Sequence, residues 1–129
     1  MYYLIFGEDT YRLRQKIDEI KKKFGSGSMG DTNTLNLDGG VTDFNTIEKN
    51  ISAMPFLSDR RLVIIKNLLA VKKSEVQEKV AKLLDNIPKT TVLVFWEEGI
   101  PDRRLKLFKK LKKFFFADRW LFFYSGGIN

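Results

Sequence analysis

Residues 52–66 read SAMPFLSDRRLVIIK and place a strongly apolar loop directly in front of a strongly apolar strand. The strand is the run LVII at residues 62–65, and four consecutive apolar residues indicate a strand covered on both faces, as in a parallel sheet flanked by helices. The loop contains Met54, Phe56 and Leu57 around Pro55, where a connecting segment is normally polar. An apolar loop that the core does not need is a candidate contact surface.

The rest of the chain alternates apolar runs with helical stripes. The runs predict strands at residues 2–6, 34–37, 62–65 and 91–96. The stripes predict four helices, which begin near Tyr11, Phe44, Ser74 and Pro101. With a last strand at residues 114–116, this alternation predicts an α/β fold in which a three-layer parallel sheet of about five strands is flanked by helices.

The end of the chain departs from this alternation. Residues 114–124 read FFFADRWLFFY, and a Ser-Gly-Gly segment follows. We predict a main domain over residues 1–117 and an atypical aromatic and glycine-containing tail over residues 118–129. The tail has three open explanations: a truncation end, a misread reading frame, or an exposed hydrophobic edge prone to association.

The composition permits one compact domain and restricts its chemistry. The chain has 129 residues, of which 43% are hydrophobic, and it contains no cysteine and no histidine. Disulfides and thiolate chemistry are therefore excluded, and the commonest metal ligand and general base is missing. We expect no catalytic residue and no metal site. Because neither a secretory signal nor a spanning segment is visible, we expect a cytoplasmic protein without membrane contact.

Basic residues outnumber acidic ones by 23 to 16, and the net charge of +7 favours attraction to polyanions. One concentration lies on the first predicted helix, at Arg12, Arg14, Lys16, Lys21, Lys22 and Lys23. The other, which we name the basic segment, consists of Arg103, Arg104, Lys106, Lys109, Lys110, Lys112 and Lys113. Two interpretations stay open for both: a solvated helix face, or a patch that faces DNA or a protein partner.

The first strand is followed by a segment that does not suit phosphate binding. A nucleotide-hydrolysing domain of this architecture carries GxxxxGK[ST] here, whereas residues 6–12 read FGEDTYR and supply carboxylates. The strand at residues 62–65 ends in Lys66 and Asn67, not in an acidic pair that would hold magnesium. A GxGxxG spacing within residues 25–30 follows a helix rather than a strand, which does not suit a dinucleotide. We expect no ATP hydrolysis and no cofactor.

Four stretches resemble the delta subunit of the bacterial DNA polymerase III clamp loader. AMPFLSDRRLVII at residues 53–65 resembles its clamp-binding segment, and MYYLIFGED at residues 1–9 is similar to its opening strand and turn. TTVLVFW at residues 90–96, followed by PDRRLKL at residues 101–107, resembles its later strand and basic helix. The resemblance covers residues 1–112 and lies in the order and spacing of short motifs.

The resemblance implies a fold like that of a P-loop NTPase (AAA+-like) domain without a functional Walker A motif. It implies a role in DNA replication, in which the domain binds and helps to open the sliding clamp without ATP hydrolysis. Phe56 and Leu57 would form a two-residue hydrophobic wedge, with Met54 and Pro55 shaping its approach. Core or loop packing is the alternative for that pair. Arg60 and Arg61 would support the wedge by holding the loop or meeting acidic clamp residues, or would form a solvated strand start.

The implied partners are the sliding clamp, DNA within the complex and, if a longer chain exists, the other clamp-loader subunits. Polymerase activity would then belong to the DNA-directed DNA polymerase III holoenzyme and not to this chain. A competing hypothesis is a basic α/β domain that binds nucleic acid directly through the basic segment. A third, a nucleotide-binding enzyme on the same scaffold, lacks the phosphate-binding motif.

Overall fold

A central sheet organises the computed structural model of the chain, which describes residues 2–24, 33–56, 59–70, 72, 74–111, 114–117 and 121–126. Its strands in these residues are β1 (Tyr2–Gly7), β2 (Thr34–Asp38), β3 (Arg61–Lys66), β4 (Thr91–Glu98), β5 (Phe114–Ala117) and β6 (Leu121–Gly126). The helices are α1 (Thr10–Phe24), α2 (Phe44–Ser52), α3 (Ser74–Leu83) and α4 (Lys106–Leu111), and the 3-10 turn Leu84–Asn86 follows α3.

The strand order across the described sheet is β2-β3-β4-β1-β6-β5. The first four strands in this order are parallel, as predicted, whereas β6 runs antiparallel to β1 and β5 antiparallel to β6. The prediction of a parallel sheet of about five strands is therefore confirmed for four strands and wrong at this edge. The residues between β5 and β6 are 118–120, and so short a connection permits an antiparallel hairpin but not the crossover that parallel strands require.

Residues 121–126, which the sequence assigned to the tail, pair with β1 along its length. Tyr2 lies opposite Gly126 and Phe6 opposite Phe122. These residues thus extend the sheet that contains the first strand of the chain. The division of the chain at residue 117 stays a prediction.

Helices cover both faces of the parallel strands and form three layers. On one face, α1 packs Leu13, Ile17 and Ile20 against strand residues that include Ile5 and Ile64. On the other face, α2, α3 and α4 form a larger cluster. Its members include Leu4, Phe6, Ile47, Ile51, Val80, Phe95, Leu107 and Phe108. Alternate residues of β1 enter the two clusters, because successive side chains of a strand point to opposite faces.

Carboxylate side chains define the start of two helices. Asp43 accepts a hydrogen bond from the Thr46 N–H at 2.8 Å and caps α2, which begins at Phe44 as the sequence predicted. The predicted start of the fourth helix at Pro101 is wrong. The Asp102 side chain accepts a hydrogen bond from the Arg104 N–H at 2.9 Å in a turn, and α4 begins only at Lys106.

None of the helices in the described part of the chain has the length and apolar character needed to span a membrane.

Candidate functional site

The loop between α2 and β3 brings apolar side chains to the surface. We name Met54, Pro55, Phe56 and Leu57 the apolar tip. Met54 is 70% exposed and Phe56 is 56% exposed, while Pro55 is half-buried. Leu57 lies outside the described residues. Phe56 is thus a surface residue and not a member of the core, and it lies at the edge where the parallel strands begin.

The carboxyl end of α2, from which the apolar tip projects, is held by side chains of two strands. Arg61 donates from Nε to the backbone oxygen of Asn50 at 3.0 Å and from Nη2 to Oδ1 of the same residue at 3.2 Å. Thr91 donates from its buried hydroxyl to the backbone oxygen of Ile51 at 2.9 Å. A helix end leaves such carbonyl groups without partners. Here β3 and β4 satisfy two of them, so the tip begins on a fixed base.

Phe56 itself is hydrogen-bonded to Asn33, the residue that directly precedes β2. The buried Asn33 side chain accepts a hydrogen bond from the Phe56 N–H at 2.6 Å and donates one to the Phe56 backbone oxygen at 2.7 Å. The two residues are 23 positions apart in the sequence. Sequence reasoning missed Asn33, because no local pattern signals a contact over this distance.

The two arginines after the tip differ in their surroundings. Arg61 lies against α2 through its hydrogen bonds to Asn50, and its role in holding the loop stays a prediction. Arg60 is exposed, and its guanidinium lies 5.4 Å from the centroid of the Phe24 ring. The Lys23 ammonium lies 5.2 Å from the same ring. These two cations form a positive surface next to the loop, and a supporting role for Arg60 stays a prediction.

The basic segment is partly neutralised by carboxylates. Lys112 and Lys113 lie outside the described residues, and Arg103 and Lys109 are exposed. The other basic side chains of the segment form ion pairs: Arg104 with Asp102 at 2.9 Å, Lys106 with Glu78 at 3.9 Å and Lys110 with Asp85 at 2.6 Å. Hydrogen bonds from Arg104 lower the pKa of Asp102 to about 2, so this pair stays charged at neutral pH. The positive field of the segment is reduced accordingly.

Carboxylates also occupy the edge where the parallel strands end. Asp9 accepts the Arg12 N–H at 3.1 Å, so its own carboxylate lies at the amino end of α1. Glu97, at the end of β4, is buried, and burial raises its pKa to about 7. Within the described residues, no group of acidic side chains has the arrangement of a metal site.

The sequence analysis did not identify Glu97 as a buried carboxyl, although the alternation of side chains along β4 indicates one. Residues two apart in a strand share a face, so Glu97 lies on the same side of β4 as the core residue Phe95. Backbone N–H groups of Leu69, Ala70 and Leu68 favour the ionised form. Among the described residues, however, none of these N–H groups forms a hydrogen bond of full distance and angle with either Glu97 carboxylate oxygen. The effect of burial on the Glu97 pKa is therefore larger than the effect of the N–H groups.

The fold and the site define an α/β domain that presents an exposed apolar loop at the amino-terminal edge of its parallel strands. Residues 3–118 match the family model described as DNA polymerase III, delta subunit. The chain belongs to this family, and the resemblance noted from the sequence is confirmed.

A curated sequence and a solved structure, both from Bacillus subtilis, support the assignment. The chain is 28% identical over 119 residues to the DNA polymerase III subunit delta of strain 168, a match that covers 86% of this chain and 34% of the relative. The structure of the present chain is similar to that of the Bacillus subtilis DNA clamp loader delta protein (YqeN), with a TM-score of 0.75 and 27% identity. This match covers 87% of the chain and 35% of the solved one. The chain thus spans about a third of the length of these relatives.

Proposed function

We propose that this chain is the clamp-binding part of a delta-type clamp-loader subunit that acts in DNA replication. It binds the sliding clamp of DNA polymerase III and helps to open it, and it does so without hydrolysing ATP. The observation that carries the proposal is the exposure of Phe56 and Met54 in a loop that is held at both ends. Family membership supports it, since the similar solved protein is named a clamp loader delta protein.

The apolar tip supplies the contact. Burying a Phe and a Leu side chain in a partner pocket contributes roughly 1.5–3 kcal/mol each, enough to make them central to an interface. This free energy is too small by itself to separate the subunits of a closed ring. The domain must therefore bind an opened or strained clamp surface more tightly than the closed one, because only the difference in affinity shifts the ring equilibrium.

The scaffold acts as a binding platform. We propose that it is an AAA+-like nucleotide-domain fold without a working Walker A motif. The segment after β1 offers carboxylates and no phosphate-binding lysine, and the Asp9 carboxylate already accepts a hydrogen bond at the amino end of α1. A bound phosphate would be repelled there by the like charge.

The remaining partners belong to the same proposal. They are the other clamp-loader subunits and the DNA within the complex. The Bacillus subtilis relatives are longer than this chain, so contacts that lie in their other parts are not supplied by these residues. Polymerase activity is a property of the assembled holoenzyme.

The test is a binding measurement between the purified chain and the cognate sliding clamp. The double variant Phe56→Ala with Leu57→Ala is expected to weaken binding by about 100-fold or more, because two apolar side chains are no longer buried. Ile100→Ala is the matched control, since Ile100 is 57% exposed and lies away from the loop in sequence. Retained affinity in a folded double variant would refute the proposal.

Salt dependence and charge reversal separate the proposal from direct binding of nucleic acid. Binding through the apolar tip should change little between about 50 mM and about 300 mM salt, whereas phosphate-dominated binding falls steeply. Reversing the charges of Lys109, Lys110 and Lys112 should leave clamp binding in place. If this charge reversal removes all binding while the double variant Phe56→Ala with Leu57→Ala retains binding, the competing hypothesis of a nucleic-acid-binding domain is correct.

A further inference from the structure

Asn33 makes a reciprocal pair of hydrogen bonds with the backbone of Phe56. Its amide oxygen lies 2.6 Å from the Phe56 nitrogen, and its amide nitrogen lies 2.7 Å from the Phe56 backbone oxygen. The Asn33 side chain is buried, with 5% of the residue exposed. We infer that Asn33 is a positioning residue that holds the Phe56 backbone in the conformation in which the ring is presented to a partner. The inference rests on the proposed function.

An asparagine suits this role because its side-chain amide copies a peptide group. One oxygen acceptor and one nitrogen donor reproduce the two-bond pairing of opposite residues in an antiparallel sheet. A buried amide is costly unless it is hydrogen-bonded, and these contacts use both its oxygen and its nitrogen. An aspartate would lose the donor, and an apolar residue would lose both bonds.

The contact matters for binding because the Phe56 ring lies outside the core. Few packing contacts fix the orientation of a ring that projects from an exposed loop, so the conformation of the Phe56 backbone determines where the ring points. Ordering a loop upon association costs free energy that is subtracted from the affinity. The hydrogen bonds to Asn33 order the Phe56 backbone in the free chain, so less free energy is lost in ordering the loop when the partner binds. The apolar tip then behaves as a preorganised contact rather than a flexible one.

Amide hydrogen exchange in the free wild-type chain gives the first test. After correction for intrinsic rates, the Phe56 amide is expected to exchange at least about tenfold more slowly than the amide of its exposed neighbour Met54, because only the former donates to a buried acceptor. Equal exchange at the two amides overturns the inference. This measurement needs no variant and no partner, so neither misfolding nor a wrong partner affects it.

Variants give the second test, with clamp affinity and melting temperature measured together. Asn33→Ala is expected to abolish the slow exchange at Phe56 and to weaken clamp binding about tenfold. The isosteric Asn33→Asp keeps the acceptor of the Phe56 N–H and loses the donor to the Phe56 oxygen, so it is expected to weaken clamp binding while the Phe56 amide still exchanges slowly. Asn36→Ala is the matched control, since Asn36 is an exposed asparagine on β2, three residues after Asn33, and it should change neither the Phe56 exchange rate nor the clamp affinity.

A double-variant cycle distinguishes positioning from a merely structural role. In the Phe56→Ala background, Asn33→Ala should weaken clamp binding no further, because Asn33 acts through Phe56. Additive losses overturn the inference. If Phe56→Ala alone leaves clamp affinity unchanged, the proposed function fails and the positioning role fails with it, while the exchange rates still report whether the hydrogen bonds exist.

Discussion

Glu97 and Glu98 are neighbours in β4, yet their carboxyl groups have opposite environments. Glu97 is 2% exposed, and burial raises its pKa to about 7. Glu98 faces solvent and contacts the Lys66 ammonium at 2.9 Å, and the hydrogen bond from Lys66 lowers its pKa. The alternation of side chains along the strand separates the two groups. They should therefore influence stability in opposite directions as pH changes.

The first prediction concerns Glu97. Its folded pKa of about 7 exceeds the ordinary value of 4.5, so the native state holds a proton that the unfolded state releases between these values. The free energy of unfolding should therefore fall as pH rises from about 4.5 to about 7, by about 3 kcal/mol at most. Glu97→Gln removes this dependence and should stabilise the chain at pH 8 relative to wild type. Urea unfolding at about pH 5 and pH 8 measures the effect.

Glu98→Gln is the control for that experiment. A lowered folded pKa contributes stability above the unfolded pKa, and this contribution is lost as pH falls through the folded value. The variant should therefore destabilise the chain slightly at pH 8, by less than about 1 kcal/mol, because the ion pair is partly exposed. Equal effects of Glu97→Gln at both pH values would contradict the assignment of a buried carboxyl.

A second prediction contrasts two glycines. A Cβ atom at Gly39 would lie 2.5 Å from the Leu68 Cα, so Gly39→Ala should lower the free energy of unfolding by about 2–3 kcal/mol or prevent folding. At Gly99 nothing lies within 4 Å of such an atom, but φ is +121°, and Gly99→Ala should cost about 1–3 kcal/mol through backbone strain alone. Denaturant unfolding of both variants tests this, and a Gly39→Ala chain as stable as wild type would contradict the close approach.

A third prediction separates the two arginines of the loop. Arg61→Ala removes the hydrogen bonds to Asn50 and should lower the free energy of unfolding by about 1–2 kcal/mol. Arg60→Ala removes an exposed cation near Phe24 and should change it by less than about 0.5 kcal/mol. Thermal and urea unfolding of the pair provides the measurement. Equal losses would show that the contact of Arg61 with α2 does not hold the loop.

Much of the fold could be predicted because its strands are consecutive apolar runs. The central strands β1, β3 and β4 are covered on both faces, so a run such as LVII at residues 62–65 is distinctive. The start of α4 was not predictable from Pro101, because the competing turn at Asp102 depends on a side-chain contact with Arg104. Local patterns also could not identify the contact between Asn33 and Phe56, since the two residues are 23 positions apart and the pairing of β2 with β3 brings them together.

The last prediction concerns the antiparallel hairpin of β5 and β6. β6 covers the edge of β1 from Tyr2 to Phe6, and β5 pairs with β6. A chain that ends at residue 117 would leave the backbone groups of β1 without these partners, and an unpaired strand edge promotes association between molecules. We expect such a chain to be less stable than the full one and to elute from a sizing column as larger species. A monomeric chain of unchanged melting temperature would instead support the division of the protein into a domain of residues 1–117 and a dispensable tail.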